Sequence, residues 1–227
     1  MFSHISLSQP RLIAIASHKG GAGRTTLALN IAALLSAAGH KSVVADLDPR
    51  QNALQWALHT PLETESFKPL NMVISGLAEA EEEGSSPVAE LLRTARTNAA
   101  EVVVADLSSQ PDYRSMAVLR AADLILIPAS NSALDADLTA ATIRSLRDDN
   151  SAYMTAPRVL LVPILNAGEQ PSALLRAMGL PLTAAVHRDA SLNDVLAPAG
   201  SPAAAELQAV LEQALAVVAH TPSLAAA

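Results

Sequence analysis

The segment Ser17-His18-Lys19-Gly20-Gly21-Ala22-Gly23-Arg24-Thr25-Thr26 limits the folds open to this chain more than any other feature. It lies between an apolar run, Arg11–Ser17 (RLIAIAS), and a helix-forming stretch, Thr26–Ala38 (TLALNIAALLSAA). The first reads as a buried strand and the second as a helix closed by Gly39. Closely spaced glycines cost backbone entropy that a plain turn has no reason to incur. They let successive amide N–H groups converge on one concavity, backed by the positive end of the following helix. That combination is a cradle for a polyphosphate. Thr25 stands where a hydroxyl would hold Mg²⁺, and Arg24 where a cation would reach the terminal phosphates. Against the pattern GxxxxGK[ST] the segment departs twice, with His18 for the first Gly and Arg24 for the Lys.

The next apolar run, Lys41–Asp46 (KSVVAD), completes a βαβ unit. Further strands are expected at Leu70–Ile74, Glu101–Asp106, Asp123–Pro128, Arg158–Leu165 and Leu182–Val186. Helices are expected at Pro87–Thr97, Tyr113–Ala122, Asp135–Arg147, Ser172–Met178 and Pro202–Ala219. Pro163 marks its strand as an edge or a bend. Strands that are apolar throughout and alternate with helices imply an α/β fold, a mostly parallel twisted sheet with helices on both faces. One domain over residues 1–227 is expected, with 1–10 and 220–227 flexible and Glu79–Pro87 (EAEEEGSSP) a solvated acidic loop.

Composition narrows the chemistry. There is no cysteine, which excludes disulfides, cysteine-ligated zinc, iron–sulfur clusters and thiol catalysis. Half the residues are hydrophobic and 16% charged, so a packed core is expected rather than disorder. No apolar run approaches about 18 residues and no signal peptide is evident, which points to a cytoplasmic protein without a membrane span. A net charge of −7 argues against a strong standing nucleic-acid binder, and 2% aromatic residues are too few for a base-stacking platform. The histidines show no metal-ligand spacing.

KGGAGRTT resembles the deviant Walker A motif (KGGxGKT) of ParA/MinD-type P-loop ATPases. Asp46-Leu47-Asp48-Pro49-Arg50-Gln51-Asn52-Ala53 resembles the DxDPQxN segment of that family, with Arg50 in place of the Gln. Val102–Asp106 followed by Leu107-Ser108-Ser109 resembles its Walker B strand and switch II, and Ala121–Leu134 its next strand and polar loop. The resemblance runs from about residue 11 to about 200. With few residues before the first strand, the extra N-terminal DNA-reading domain of some larger relatives is not expected here.

The resemblance implies ATP and Mg²⁺ as ligands, an ATP-dependent sandwich homodimer, slow hydrolysis stimulated by an adaptor protein, and a cargo to partition or position, whether plasmid, chromosome or protein complex. Carried over by position, Gly20, Gly21, Ala22, Gly23, Arg24, Thr25 and Thr26 bind phosphate. Lys19 is the signature lysine that reaches the partner's nucleotide. Asp48 orients the attacking water, Asp46 supports the Mg²⁺ shell, and Thr25 and Asp106 hold the ion, Asp106 through water. Asn166 reads adenine. Arg24 keeps the positive charge of the usual lysine but as a planar fork. A nucleotide-dependent scaffold with little or no hydrolysis therefore stays open, as does a P-loop kinase or biosynthetic enzyme of the wider superfamily.

MinD-like members anchor to membranes through a basic C-terminal helix. Here Ala203–Ala219 holds Glu206 and Glu212 and no Lys or Arg. Its larger apolar residues Leu207, Val210, Leu211, Leu215 and Val218 share one face, which suits docking on the core and excludes the membrane. ParA-like members bind nonspecific DNA through basic residues late in the chain, where this chain has Arg188. ATP-dependent, salt-sensitive DNA binding and a place on the nucleoid follow as an expectation from that residue.

Overall fold

Strands apolar on both faces need cover on both, and the computed structural model shows that cover. It describes residues 10–59, 72–76, 86–110, 112–149, 158–189, 192 and 195–220. In chain order the elements are β1 (Arg11–Ile15), α1 (Arg24–Ala37), β2 (Ser42–Asp46), α2 (Asn52–His59), β3 (Met72–Gly76), α3 (Pro87–Thr97) and β4 (Val102–Asp106). They continue with α4 (Tyr113–Ala121), β5 (Leu124–Ala129), α5 (Ala133–Asp149), β6 (Val159–Leu165), α6 (Ala173–Arg176), β7 (Val186–His187) and α7 (Pro202–His220). The sheet has the order β3-β2-β4-β1-β5-β6-β7, and every pairing is parallel. This is the expected α/β architecture.

Alternate residues of β1 feed two cores. Ile13 and Ile15 pack with α1 and α7, while Leu12 and Ala14 pack with residues of α3, α4 and α5. Helix α1 has no polar stripe because it is buried nearly all round, from Leu27 through Leu35. It ends where Gly39 takes φ +91° and its neighbour His40 donates its N–H back to the Leu35 carbonyl at 2.9 Å. Helix α7 buries Leu207, Val210, Leu211, Leu215 and Val218, the face its spacing predicts.

Three elements differ from the sequence expectation. Helix α2 was not anticipated. The strand expected at Leu182–Val186 is a lone bridge between Leu161 and Leu182 followed by the two-residue β7. Pro163 lies on a strand with neighbours on both sides, not on an edge. Leu161 donates its N–H to Pro181 and Leu165 accepts from Arg188 on the β7 side. Two residues from each, Pro163 turns its missing donor to that side, between the bridge and β7, where no ladder needs it. The acidic stretch before Ser86, residues 1–9 and residues 221–227 lie outside the described residues.

Candidate functional site

The register aligns Ile15 with Asp106 and Asp46 with Asp106, so three adjacent strands end at one level. The glycine loop leaves β1 at that level, beside β5 on the other side of the sheet order. Ligands of open α/β sheets sit at such points, outside the carboxyl ends of the strands.

Gly21 and Gly23 have φ +72° and +91°, and a Cβ at either would meet nothing within 4 Å. Conformation, not space, is what requires glycine there. Gly23 caps α1 without a side-chain hydrogen bond, and the first turn holds no acid. The amide groups that open the helix are therefore left for a ligand of negative charge.

Arg24 is turned inward and only 8% exposed. Its Nη1 donates to the carbonyls of Ser17 at 2.9 Å and Lys19 at 2.6 Å, and its Nη2 donates to Asp48 at 3.2 Å. The sequence places this residue on phosphate; in this structure its terminal nitrogens hold the loop to its own carbonyls and to β2's following turn. Lys19 bonds Asp135 at 2.5 Å, and Ser130 donates to the same carboxylate. Burial works to raise the Asp135 pKa, but the hydrogen bonds from Lys19 and Ser130 outweigh it and hold the carboxyl below its ordinary range.

The three acids at or just past the strand ends, Asp46, Asp48 and Asp106, differ. Both oxygens of Asp46 accept backbone N–H groups, from Asp48 at 3.1 Å, Ala53 at 2.9 Å and Leu54 at 3.1 Å. It thereby caps α2 from a distance. Burial raises its pKa against those bonds. Asp48 accepts from the Arg50 N–H at 3.0 Å and from Arg24. Asp106 is fully buried and accepts from the Thr25 hydroxyl at 2.6 Å, while its Oδ1 has no partner. Burial pushes Asp106 up to about 7 against the Thr25 bond, and the charges of Asp46 and Asp48 add to the push. Among the described residues no three His, Cys, Asp or Glu side chains are grouped to hold a metal by themselves.

A cavity of about 270 Å³ adjoins the loop. One side is Gly21, Gly23 and Thr26; the other is an apolar wall of Ile164, Leu192 and Leu207. Arg188 lines it too, and its charge helps lower Asp135. Asn166 is not among the lining residues. Its amide donates to Glu169 Oε1 at 2.9 Å and its backbone N–H to Oε2 at 3.1 Å. Two participants escaped the sequence reading. Asp135 stands at the start of the expected helix Asp135–Arg147, with nothing local to pair it with Lys19. His187 lines the cavity with its Nδ1 on Glu206 at 2.7 Å and its Nε2 on the Glu169 carbonyl at 3.0 Å.

Residues 13–197 match the CobQ/CobB/MinD/ParA nucleotide binding domain family. The maintenance of carboxysome distribution protein A of Halothiobacillus neapolitanus is 29% identical over 220 residues, covering 89% of this chain and 95% of that protein. Its namesake in Gloeobacter kilaueensis is 30% identical over 183 residues, covering 78% and 76%. Among solved structures, apo McdA of Cyanothece aligns with a TM-score of 0.68 at 21% identity, over 90% of this chain and 99% of that one.

Proposed function

This chain belongs to the CobQ/CobB/MinD/ParA nucleotide-binding domain family, and from that premise we propose that it binds ATP with Mg²⁺, closes as a nucleotide-dependent homodimer and hydrolyses ATP slowly while positioning a cargo. The observation that carries the reading is the glycine turn with its uncapped amides, set at the level of a buried acid with an unpartnered oxygen. The amides of residues 20–25 hold the phosphates, and the apolar wall of the cavity receives the nucleoside.

The residues fit a hard cation. Thr25 and Asp106 offer oxygen ligands 2.6 Å apart, and Asp106 Oδ1 has no protein partner to give up. They would hold Mg²⁺, which when bound supplies charge to offset the phosphates and to favour ionised Asp106. Asp46 contributes charge and holds α2, since its oxygens already carry backbone donors. Lys19 leaves Asp135 to reach the partner's nucleotide, where a cation offsets charge developing in the transition state. Asp48, steadied by Arg24, orients the attacking water. Asn166 reads adenine only after giving up its Glu169 bonds.

The whole chain acts as one domain in the cytoplasm. Two relatives matched over at least three quarters of their length are named for carboxysome distribution, and this favours a protein body as cargo over a plasmid or chromosome. An adaptor stimulates release, and Arg188 is the residue for contact with nonspecific DNA. No helix among the described residues is long and apolar enough to cross a membrane. The inward engagement of Arg24 favours a second reading, a nucleotide-dependent scaffold that turns over little ATP. Phosphate release with ATP, measured for wild type and Arg24→Lys, tests the two. Turnover above background in wild type supports the ATPase; background turnover with intact ATP-dependent dimers supports the scaffold.

A further inference from the structure

Asn30 lies on α1, one turn beyond Thr26, and is 3% exposed. A buried amide in a helix has to satisfy its donors and acceptor inside the protein. Its Nδ2 donates to the carbonyls of Thr26 and Val195, both at 2.7 Å, and its Oδ1 accepts from the Ala197 N–H at 2.8 Å. One side chain thus fastens the segment between β7 and α7 to the helix that carries the phosphate loop.

The fastened backbone is not relaxed. Val195, a β-branched residue, sits at φ +72°. Such a conformation persists where surrounding contacts over-determine it. From Val195 the backbone leads to the cavity in two steps. Its N–H donates to the Leu192 carbonyl at 2.9 Å, and the Leu192 N–H donates to the Asp189 carbonyl at 3.0 Å. Leu192 and Asp189 form part of the cavity wall, facing Gly23, Thr26 and Leu27 of the opposite side. Asn30 lines neither side, yet it bonds the main chain behind both.

We propose that Asn30 is a positioning residue for the nucleoside end of the bound nucleotide, setting the gap between α1 and the wall that holds Asp189 and Leu192, without touching the phosphates. This rests on the cavity being the nucleotide site. The test titrates ATP and inorganic tripolyphosphate, each with Mg²⁺, into wild type, Asn30→Ala and Asn30→Asp. Alanine removes all three bonds. Aspartate, titrated at a pH that ionises it, keeps the acceptor for Ala197 and offers no donor to Val195, and it carries the test should the alanine variant not fold. Both variants should bind ATP about tenfold more weakly, because the wall is no longer held at its spacing from α1, with tripolyphosphate changed by less than about twofold. Amide exchange at Ala197 should quicken in Asn30→Ala and not in Asn30→Asp. Equal loss for both ligands, no loss for ATP, or unchanged Ala197 exchange in the alanine variant overturns the proposal and leaves the nucleotide reading standing. A wild type that binds no ATP overturns that reading, and this proposal with it.

Discussion

At Arg24 the guanidinium meets three oxygens, two loop carbonyls and the Asp48 carboxylate. Lysine can hold one or two of these as a point charge, whereas alanine leaves a buried carboxylate without its cation. Urea unfolding should show Arg24→Ala less stable by about 3 kcal/mol and Arg24→Lys by about 1 kcal/mol. An alanine variant as stable as wild type contradicts the inward role. The motif pointed to this residue but not to its direction, because Asp48 arrives from another strand, 24 residues on. His187 was legible only as a histidine without ligand spacing. The Glu169 carbonyl, then the Glu206 carboxylate, hold its pKa above 6.5. Its stabilisation is therefore complete below pH 6.5 and is lost as pH rises through the higher folded value. The side chain is 26% exposed, so solvent screening keeps the effect below about 1 kcal/mol. Comparing unfolding at pH 6 and pH 8, wild type should lose more stability than Glu206→Gln. An equal loss removes the pair from the account.

The strands of the sheet were readable because each is a short run with no polar face, and parallel pairing buries both sides. Their ends were less so, since β1 stops at Ile15 while its apolar run continues to Ser17. Helix α2 escaped notice for a physical reason. It is only eight residues long, only Ala53 among them is buried, and its start is held by Asp46 rather than by a neighbour in sequence. The acid assigned to the Mg²⁺ shell is thus a remote helix cap. Asp46→Ala should cost about 1–2 kcal/mol, and hydrogen exchange should show protection lost at Ala53 and Leu54 first. Unchanged protection there would mean that α2 does not depend on the cap.

Across the whole molecule, parallel order gathers at the carboxyl ends of the strands what the sequence spreads over more than a hundred residues: the loop after β1, the acids at the ends of β2 and β4, and Asp135 beside Lys19. The sequence motifs identified the loop and the acids; they carried no sign of the Lys19–Asp135 bond, which is a product of topology. In the proposed cycle Lys19 exchanges Asp135 for a nucleotide on a second copy. Light scattering should then show ATP with Mg²⁺ doubling the mass, and Lys19→Ala remaining a monomer. A wild type of constant mass contradicts the dimer while leaving nucleotide binding to be judged directly. The most direct judgement is a calorimetric titration of ATP with Mg²⁺ into the folded chain. Saturable heat at one nucleotide per chain is the predicted result, and folded protein that yields no binding heat would contradict the claim that residues 20–25 form a phosphate cradle.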